Sequence, residues 1–139
     1  MELRIEGTAL VTGASSGLGR HFAKVLADAG ATVVAAARRT DRLEELASEI
    51  AAQGGRCLPL EMDVTSGESI GRAFAALPDL AGEPVSLVVN NAGVTLTKSA
   101  LKIEETEWRS VIDANLTGAF FVAQAAATQM PPEGGAIVN

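Results

Sequence analysis

A glycine-rich segment near the N-terminus has the composition of a phosphate-binding turn. The segment Thr12–Gly19 directly follows a short apolar run, Thr8 to Val11. Glycines let the backbone turn sharply and approach a phosphate without an intervening Cβ, and the helix expected from Gly17 onward would point unpaired N–H groups at the same anion. Such turns also serve tight strand–helix packing, and G-x-x-x-G-x-G departs from the commoner G-x-G-x-x-G, but the position after a first strand favours a nucleotide site. The residues assigned to this site are Gly13, Ser15, Ser16, Gly17, Leu18 and Gly19.

Two arginines indicate which nucleotide would bind. Arg38 and Arg39 follow the second apolar run, Thr32 to Ala37, about 20 residues after the glycine segment. A carboxylate in this place would bind the ribose hydroxyls of NAD, or of S-adenosylmethionine in a methyltransferase. Arginine instead binds a 2′-phosphate through paired hydrogen bonds and stacks on adenine. A solvated pair of cations at the start of a surface loop is the alternative, but the position favours NADP(H) over NAD(H).

The elements that must position these residues alternate regularly between short apolar runs and helical patterns. We predict an α/β fold, a Rossmann-like doubly wound parallel sheet in a three-layer α/β/α arrangement, with ligands at the carboxyl ends of the strands. The five predicted strands are Thr8–Val11, Thr32–Ala37, Cys57–Met62, Val85–Val89 and Ala136–Val138. The predicted helix starts are Gly17, the pair Asp41 and Glu44, the capping box Thr65 and Glu68, and a long helical stretch with an internal irregularity from about Glu104 to Met130.

Four motifs in the right order resemble the short-chain dehydrogenase/reductase family along essentially the whole chain. They are the glycine segment Thr12–Gly19, the pair Asp63-Val64 after strand three, the segment Asn90-Asn91-Ala92-Gly93 after strand four, and Asn115 within Asn115-Leu116-Thr117-Gly118. The resemblance implies that Asp63 and Val64 hold the adenine ring, and that Asn90, Ala92 and Gly93 line the adenosine ribose. It also implies hydride transfer between a nicotinamide and a small-molecule carbonyl or alcohol.

Three of these motifs also have a purely structural explanation. Asp63 could cap the helix that begins near Thr65, and Asn90 to Gly93 could form a turn that satisfies backbone groups. Asn115 falls on an apolar stripe, where a buried amide needs hydrogen-bond partners, so it could satisfy local backbone where the helix is irregular. The resemblance implies more for Asn115, a catalytic-site asparagine that perturbs the helix and helps to hold a proton-relaying water. The apolar stripe consists of Trp108, Val111, Ile112, Leu116 and Ala119.

The family's remaining catalytic residues have no counterpart in the sequence. In the family a serine orients the substrate oxygen and a tyrosine exchanges its proton with the substrate. A lysine four residues later lowers the pKa of the tyrosine and binds the ribose. The serine follows a strand end such as Ile137-Val138-Asn139, and the chain contains no tyrosine. We therefore expect residues 1–139 to be a single NAD(P)-binding Rossmann domain that is incomplete at its C-terminus and that binds the cofactor without turnover. A complete, non-catalytic nucleotide-binding or regulatory module is the alternative.

Composition narrows the remaining classes of function. The length of 139 residues suits one domain, and a net charge of −6 argues against a general nucleic-acid surface. Cys57 is the only cysteine, which excludes an intrachain disulfide and suggests a packing role. No apolar run approaches the roughly 20 residues of a membrane span, and we expect a cytoplasmic protein. The family resemblance implies a homo-oligomer formed through the long helix around residues 108–130.

Overall fold

A computed structural model describes residues 4–139, which form one five-stranded parallel sheet with helices on both faces. The strand order is β3-β2-β1-β4-β5. The strands are β1 (Thr8–Thr12), β2 (Thr32–Ala37), β3 (Arg56–Glu61), β4 (Val85–Val89) and β5 (Ala136–Val138). The helices are α1 (Gly17–Asp28), α2 (Thr40–Ala52), α3 (Gly67–Ala81), α4 (Glu105–Ile112) and α5 (Ala119–Gln129), with a short 3₁₀ turn at Ala100–Lys102. This architecture confirms the predicted doubly wound α/β fold.

The two faces of the sheet carry separate apolar cores. Alternate residues of each strand point to opposite faces, so that Leu10 and Val34 pack with α3 and α5, whereas Val11 and Val33 pack with α1 and α2. All four side chains are completely buried. Because β1 is covered on both faces, its sequence is a continuous apolar run and not an alternating one.

The position of β1 within the sheet creates the place where a ligand would bind. After β1 the chain crosses to β2 on one side, and after β3 it crosses to β4 on the other side of β1. The parallel register pairs Thr12 with Ala36 of β2 and Val11 with Val89 of β4. Connections that leave β1 and β4 in opposite directions open a crevice at the carboxyl ends of these strands.

The starts of two helices differ from the prediction. Helix α3 begins at Gly67, and the hydroxyl of Ser66, not of Thr65, accepts the capping hydrogen bond from Ser69 N at 3.2 Å. The Thr65 hydroxyl is already used, because it donates to the Asp63 carboxylate at 2.7 Å. The predicted Thr65–Glu68 capping box is therefore wrong.

Helix α2 begins two residues earlier than predicted. It starts at Thr40 with Arg39 as its N-cap residue, and Asp41 lies inside the first turn. Asp41 is therefore not the N-cap that the pairing with Glu44 suggested. Its carboxylate lies instead near the positive end of the helix, which favours the helix by charge.

The predicted irregularity in the long helical stretch is a π-turn (Asp113–Gly118) between α4 and α5. The expectation of a buried amide at Asn115 is wrong, because this side chain is exposed. Its stripe neighbours Trp108 and Leu116 are also exposed, at 58% and 63%. The physical reason is that α4 makes few contacts with the strands of the sheet. No helix in residues 4–139 is long and apolar enough to cross a membrane.

Cys57 lies on β3, half-buried against the core formed with α1 and α2. Burial raises the pKa of the Cys57 thiol to about 11, while a backbone hydrogen bond with Ala35 opposes the shift. We therefore expect the folded chain at pH 8 to react with iodoacetamide about two orders of magnitude more slowly than a free thiol of pKa about 8.5, because the thiolate is the nucleophile. The labelling rate should increase steeply as the pH rises toward 11. The urea-unfolded chain serves as the control and should react as a free thiol does; equally fast labelling of the folded chain would contradict the burial.

Candidate nucleotide site

The loops at the carboxyl ends of the strands enclose a cleft of ≈ 680 Å³. The loops that follow β1, β2, β3 and β4 line it, and α4 with the π-turn closes one side through Ser110, Asp113 and Ala114. Volumes of a few hundred to a thousand Å³ are typical of small-molecule and cofactor sites. The cleft thus lies where the strand order predicts a ligand site.

The glycine segment forms the floor of the cleft by close backbone packing. Gly13 has a φ of 67° and Gly17 a φ of 56°, both in the left-handed region that favours glycine. Gly19 is required for a different reason, because a Cβ there would lie 2.3 Å from Gly13 O and 2.5 Å from Asn91 Nδ2. The first turn of α1 can therefore approach the end of β1 and the loop after β4 only because residue 19 has no side chain.

Hydrogen bonds join the end of β1 to the loop after β4. Ala92 N donates to the buried Thr12 hydroxyl at 2.9 Å, and Asn91 Nδ2 donates to the Thr12 carbonyl at 3.0 Å. Sequence reasoning did not assign Thr12 or Asn91 to the site, although both belong to its motifs. Their polar side chains at two strand ends were the available signal, since the carboxyl ends of parallel strands meet at one edge of a sheet.

The two arginines border the cleft on the side of the glycine segment. The Arg39 guanidinium donates to the hydroxyls of Ser15 at 3.0 Å and of Ser16 at 3.1 Å. Arg38 also lines the cleft, and both arginine side chains are exposed. A net negative chain therefore presents a local pair of cations beside the N-terminus of α1.

Asp63 follows β3, the neighbour of β2 in the sheet, and is held as an anion. The Thr65 hydroxyl donates to its carboxylate at 2.7 Å, and the Thr65 N–H donates to the same oxygen at 2.9 Å. The Thr65 hydroxyl lowers the pKa of Asp63 most, burial opposes this, and the Thr65 N–H and the positive charge of Arg38 lower it further. The carboxylate is thus ready to accept a hydrogen bond from a ligand amine at neutral pH.

Two of the motif asparagines bind backbone or buried partners. Asn90 is buried, and its Nδ2 donates to Ala119 O at 2.7 Å and to Asn139 Oδ1 at 3.0 Å, so it connects β4 with α5 and the end of β5. Asn115 accepts from Val94 N at 2.7 Å and donates to Val94 O at 2.8 Å. Asn115 provides hydrogen-bond partners for backbone groups, as one hypothesis suggested. Those groups belong to a loop 21 residues away and not to its own helix.

The cleft brings together most, but not all, of the predicted site residues. The predicted residues that line it are Gly13, Ser15, Ser16, Leu18, Arg38, Arg39, Asp63, Val64, Ala92 and Gly93. The predicted residues outside its lining are Gly17, Gly19, Asn90 and Asn115. Lining residues that sequence reasoning missed include Thr12, Asn91, Val94, Ser110, Asp113 and Ala114. Ser110, Asp113 and Ala114 recur at helical spacing, but nothing in that spacing indicates which face meets the cleft.

The Thr12 hydroxyl provides a test of the link between β1 and the loop after β4. Thr12→Val keeps the shape of the side chain but leaves the Ala92 N–H without its acceptor, which we expect to lower the free energy of unfolding by about 1–3 kcal/mol. Urea denaturation measures this loss, and amide exchange at Ala92 should become faster. The matched control Thr12→Ser retains the hydroxyl and should keep the Ala92 amide protected. Equal protection in both variants would show that the hydroxyl does not hold the loop.

The sequence matches known dehydrogenases and reductases along nearly its whole length. A family model described as short chain dehydrogenase matches residues 7–139. The 3-oxoacyl-(acyl-carrier-protein) reductase FabG of Aquifex aeolicus is 38% identical over 100% of this chain and 57% of its own length. The 3beta-hydroxysteroid dehydrogenase of Mediterraneibacter gnavus is 38% identical over 94% of this chain and 47% of its own length.

Solved structures agree with the sequence matches. A short-chain type dehydrogenase/reductase from Mycobacterium marinum superposes with a TM-score of 0.90 at 38% identity, over 98% of this chain and 54% of that one. The citronellol catabolism dehydrogenase AtuB of Pseudomonas aeruginosa gives a TM-score of 0.91 at 34% identity, over 99% of this chain and 56% of that one. The chain thus spans about half the length of the relatives it matches. Because the family model matches residues 7–139, nearly its whole length, the chain belongs to the short-chain dehydrogenase family.

Proposed function

We propose that this chain forms the NADP(H)-binding part of an oxidoreductase that transfers a hydride between the nicotinamide and a carbonyl or alcohol carbon of a small molecule. The observation that carries the proposal is the position of Arg38 and Arg39, which border the cleft beside the glycine segment. In the position where a carboxylate would bind the ribose of NAD, two cations offer hydrogen bonds to a 2′-phosphate.

The first turn of α1 fits the pyrophosphate of such a cofactor. In residues 4–139, no side chain accepts a hydrogen bond from the N–H groups of Gly17, Leu18 or Gly19. The Ser16 hydroxyl accepts from Arg39 and does not cap the helix. Free N–H groups at a helix N-terminus, together with the helix dipole, form an anion site. Gly17 adds room, since no atom lies within 4 Å of the position that its Cβ would occupy.

The loops after β3 and β4 fit the adenine and its ribose. The Asp63 carboxylate would accept from the exocyclic amine of adenine, and Val64 would contact the ring, while Ala92 and Gly93 would face the ribose. Asn90 does not line the cleft, so its part in this proposal is indirect: it holds the end of β4 through Ala119. The residues therefore fit a dinucleotide along the strand ends.

The reaction itself is proposed from the relatives. One relative is named as an oxoacyl reductase and another as a hydroxysteroid dehydrogenase, which are activities on a carbonyl and on a hydroxyl group. A bound nicotinamide would supply or accept the hydride. The chain's own contribution is to bind and orient that cofactor, and Asn115 holds the Val94 backbone at the rim of the cleft.

A charge-removing substitution at Arg39 tests the choice of cofactor. We expect Arg39→Gln to weaken NADPH binding by about 10- to 100-fold, the value of a charge-assisted hydrogen bond to phosphate, and to leave NADH binding nearly unchanged. Isothermal titration calorimetry with both cofactors measures this. Arg42→Gln is the matched control, because Arg42 is exposed on α2 and pairs with Glu45 outside the cleft. If the unsubstituted chain bound NADH as tightly as NADPH, the assignment of NADP(H) would be wrong.

We also propose that the outer surface of α4, the π-turn and α5 forms a contact between copies of the chain. Trp108, Leu116 and Phe120 are 58%, 63% and 58% exposed and follow one another at helical spacing. A row of large apolar side chains in water is typical of an interaction surface. This surface lies within the long helical stretch around residues 108–130, for which the family resemblance implied a contact between copies.

Sedimentation velocity tests this contact. Phe120→Glu places a charge within the apolar row, so we expect it to convert the oligomer into a monomer while the circular dichroism spectrum remains unchanged. Val25→Glu is the control, because Val25 is also exposed, at 42%, but lies on α1. A monomeric unsubstituted protein, or an oligomer that survives Phe120→Glu, would contradict the proposal.

A further inference from the structure

The π-turn touches two different walls of the cleft. On one side Gly118 is buried against the loop after β3, and a Cβ on Gly118 would lie 2.4 Å from Val64 O and 3.0 Å from Val64 C. Gly118 has a φ of −63°, a conformation that any residue adopts. Glycine is therefore needed here for space and not for backbone freedom.

On its other side the same turn holds the loop after β4. Both ends of the Asn115 amide bind the Val94 backbone, at 2.7 Å and 2.8 Å, in the manner of a short strand pairing. The fit is close, because a Cβ on Gly93 would lie 3.1 Å from Asn115 Oδ1. Val64 and Val94 both line the cleft, so the six residues of the π-turn connect two loops that a bound dinucleotide would contact.

We propose that Gly118 is a positioning residue: its contact with Val64 fixes the depth of the π-turn, and thereby the place at which Asn115 holds Val94 and the loop after β4. The proposal rests on the proposed function, since the two loops matter to activity only if the cleft binds a nicotinamide cofactor. Insertion of an extra residue into a helix to form a π-turn commonly occurs at functional sites, where it redirects a side chain. Here the side chain concerned is Asn115, which binds the Val94 backbone in the loop after β4.

A local packing role for Gly118 would have different consequences. If Gly118 only filled space beside Val64, a methyl group there would disturb the loop after β3 and act independently of Asn115. If Gly118 positions Asn115, the two residues act on Val94 in series, and their substitutions are not additive. A double-mutant cycle separates the two cases.

Amide hydrogen exchange without cofactor is the first measurement. The Val94 N–H donates to Asn115, and the Thr65 N–H donates to Asp63 next to Val64, so each amide reports on one loop. We expect Asn115→Ala to increase exchange at Val94 alone. Gly118→Ala should increase exchange at both amides, because the added methyl group cannot fit against the Val64 carbonyl.

The affinity for NADPH is the second measurement. We expect Gly118→Ala to weaken binding by about tenfold in the unsubstituted background and by less than about twofold in the Asn115→Ala background. Gly71→Ala is the matched control, because Gly71 lies on the exposed side of α3 with no atom within 4 Å of its Cβ position, and it should leave the affinity and both amides unchanged. Should Gly118→Ala prove too unstable for the cycle, the exchange pattern of Asn115→Ala still tests the link to Val94.

The outcomes separate this inference from the function on which it rests. The positioning role would be overturned if Gly118→Ala lowered the NADPH affinity equally in both backgrounds. It would also be overturned if Gly118→Ala left amide exchange at Val94 unchanged. Slow exchange at Val94 in Asn115→Ala would overturn it as well. If the unsubstituted protein bound no NADPH, the proposed function would fail, but the exchange data would still report whether Gly118 positions Asn115.

Discussion

The cleft depends on how closely the first turn of α1 approaches the backbone of two strand ends. Gly19 lies against Gly13 O and the Asn91 amide at distances that leave no room for any side chain. The same amide donates to the carbonyl of Thr12, so the glycine segment, β1 and the loop after β4 form one packed unit. Because this unit is rigid, the N-terminus of α1 and the loop after β4 face a common space.

The charge around the cleft differs from the net charge of the chain. The chain carries a net charge of −6, yet Arg38 and Arg39 stand beside the glycine segment. Exposed charges are screened beyond a Debye length of about 8–10 Å, so a bound phosphate would respond mainly to its neighbours. Asp63, at the end of the neighbouring strand β3, is held as an anion by Thr65. Cations and a carboxylate at adjacent strand ends suit a ligand that carries both a phosphate and an amine-bearing base.

The fold could be predicted well because the signals that specify it are local. Strands buried on both faces are continuous apolar runs, and each run in this chain ends at glycine, arginine, aspartate or asparagine. The predicted bounds of β2 and β4 agree with the structure, those of β1 differ by one residue at its C-terminal end, and those of β3 differ by one residue at each end. Helix starts were less predictable, because neighbouring hydroxyls compete for the same role. Thr65 and Ser66 could both cap α3, and the capture of Thr65 by Asp63 decides between them.

The sequence by itself determined the family, the doubly wound sheet, and the glycine and arginine residues at the first two strand ends, since each depends on residues that are adjacent in the chain. Only the tertiary structure decided that Asn115 binds Val94, that Arg39 binds Ser15 and Ser16, and that Asn90 lies outside the cleft lining. The physical reason is that strand order and helix packing set these distances, across separations of 21 residues for Asn115 and 23 and 24 for Arg39. Periodicity along one helix shows which residues share a face, but the element against which that face packs depends on the order of all the strands in the sheet.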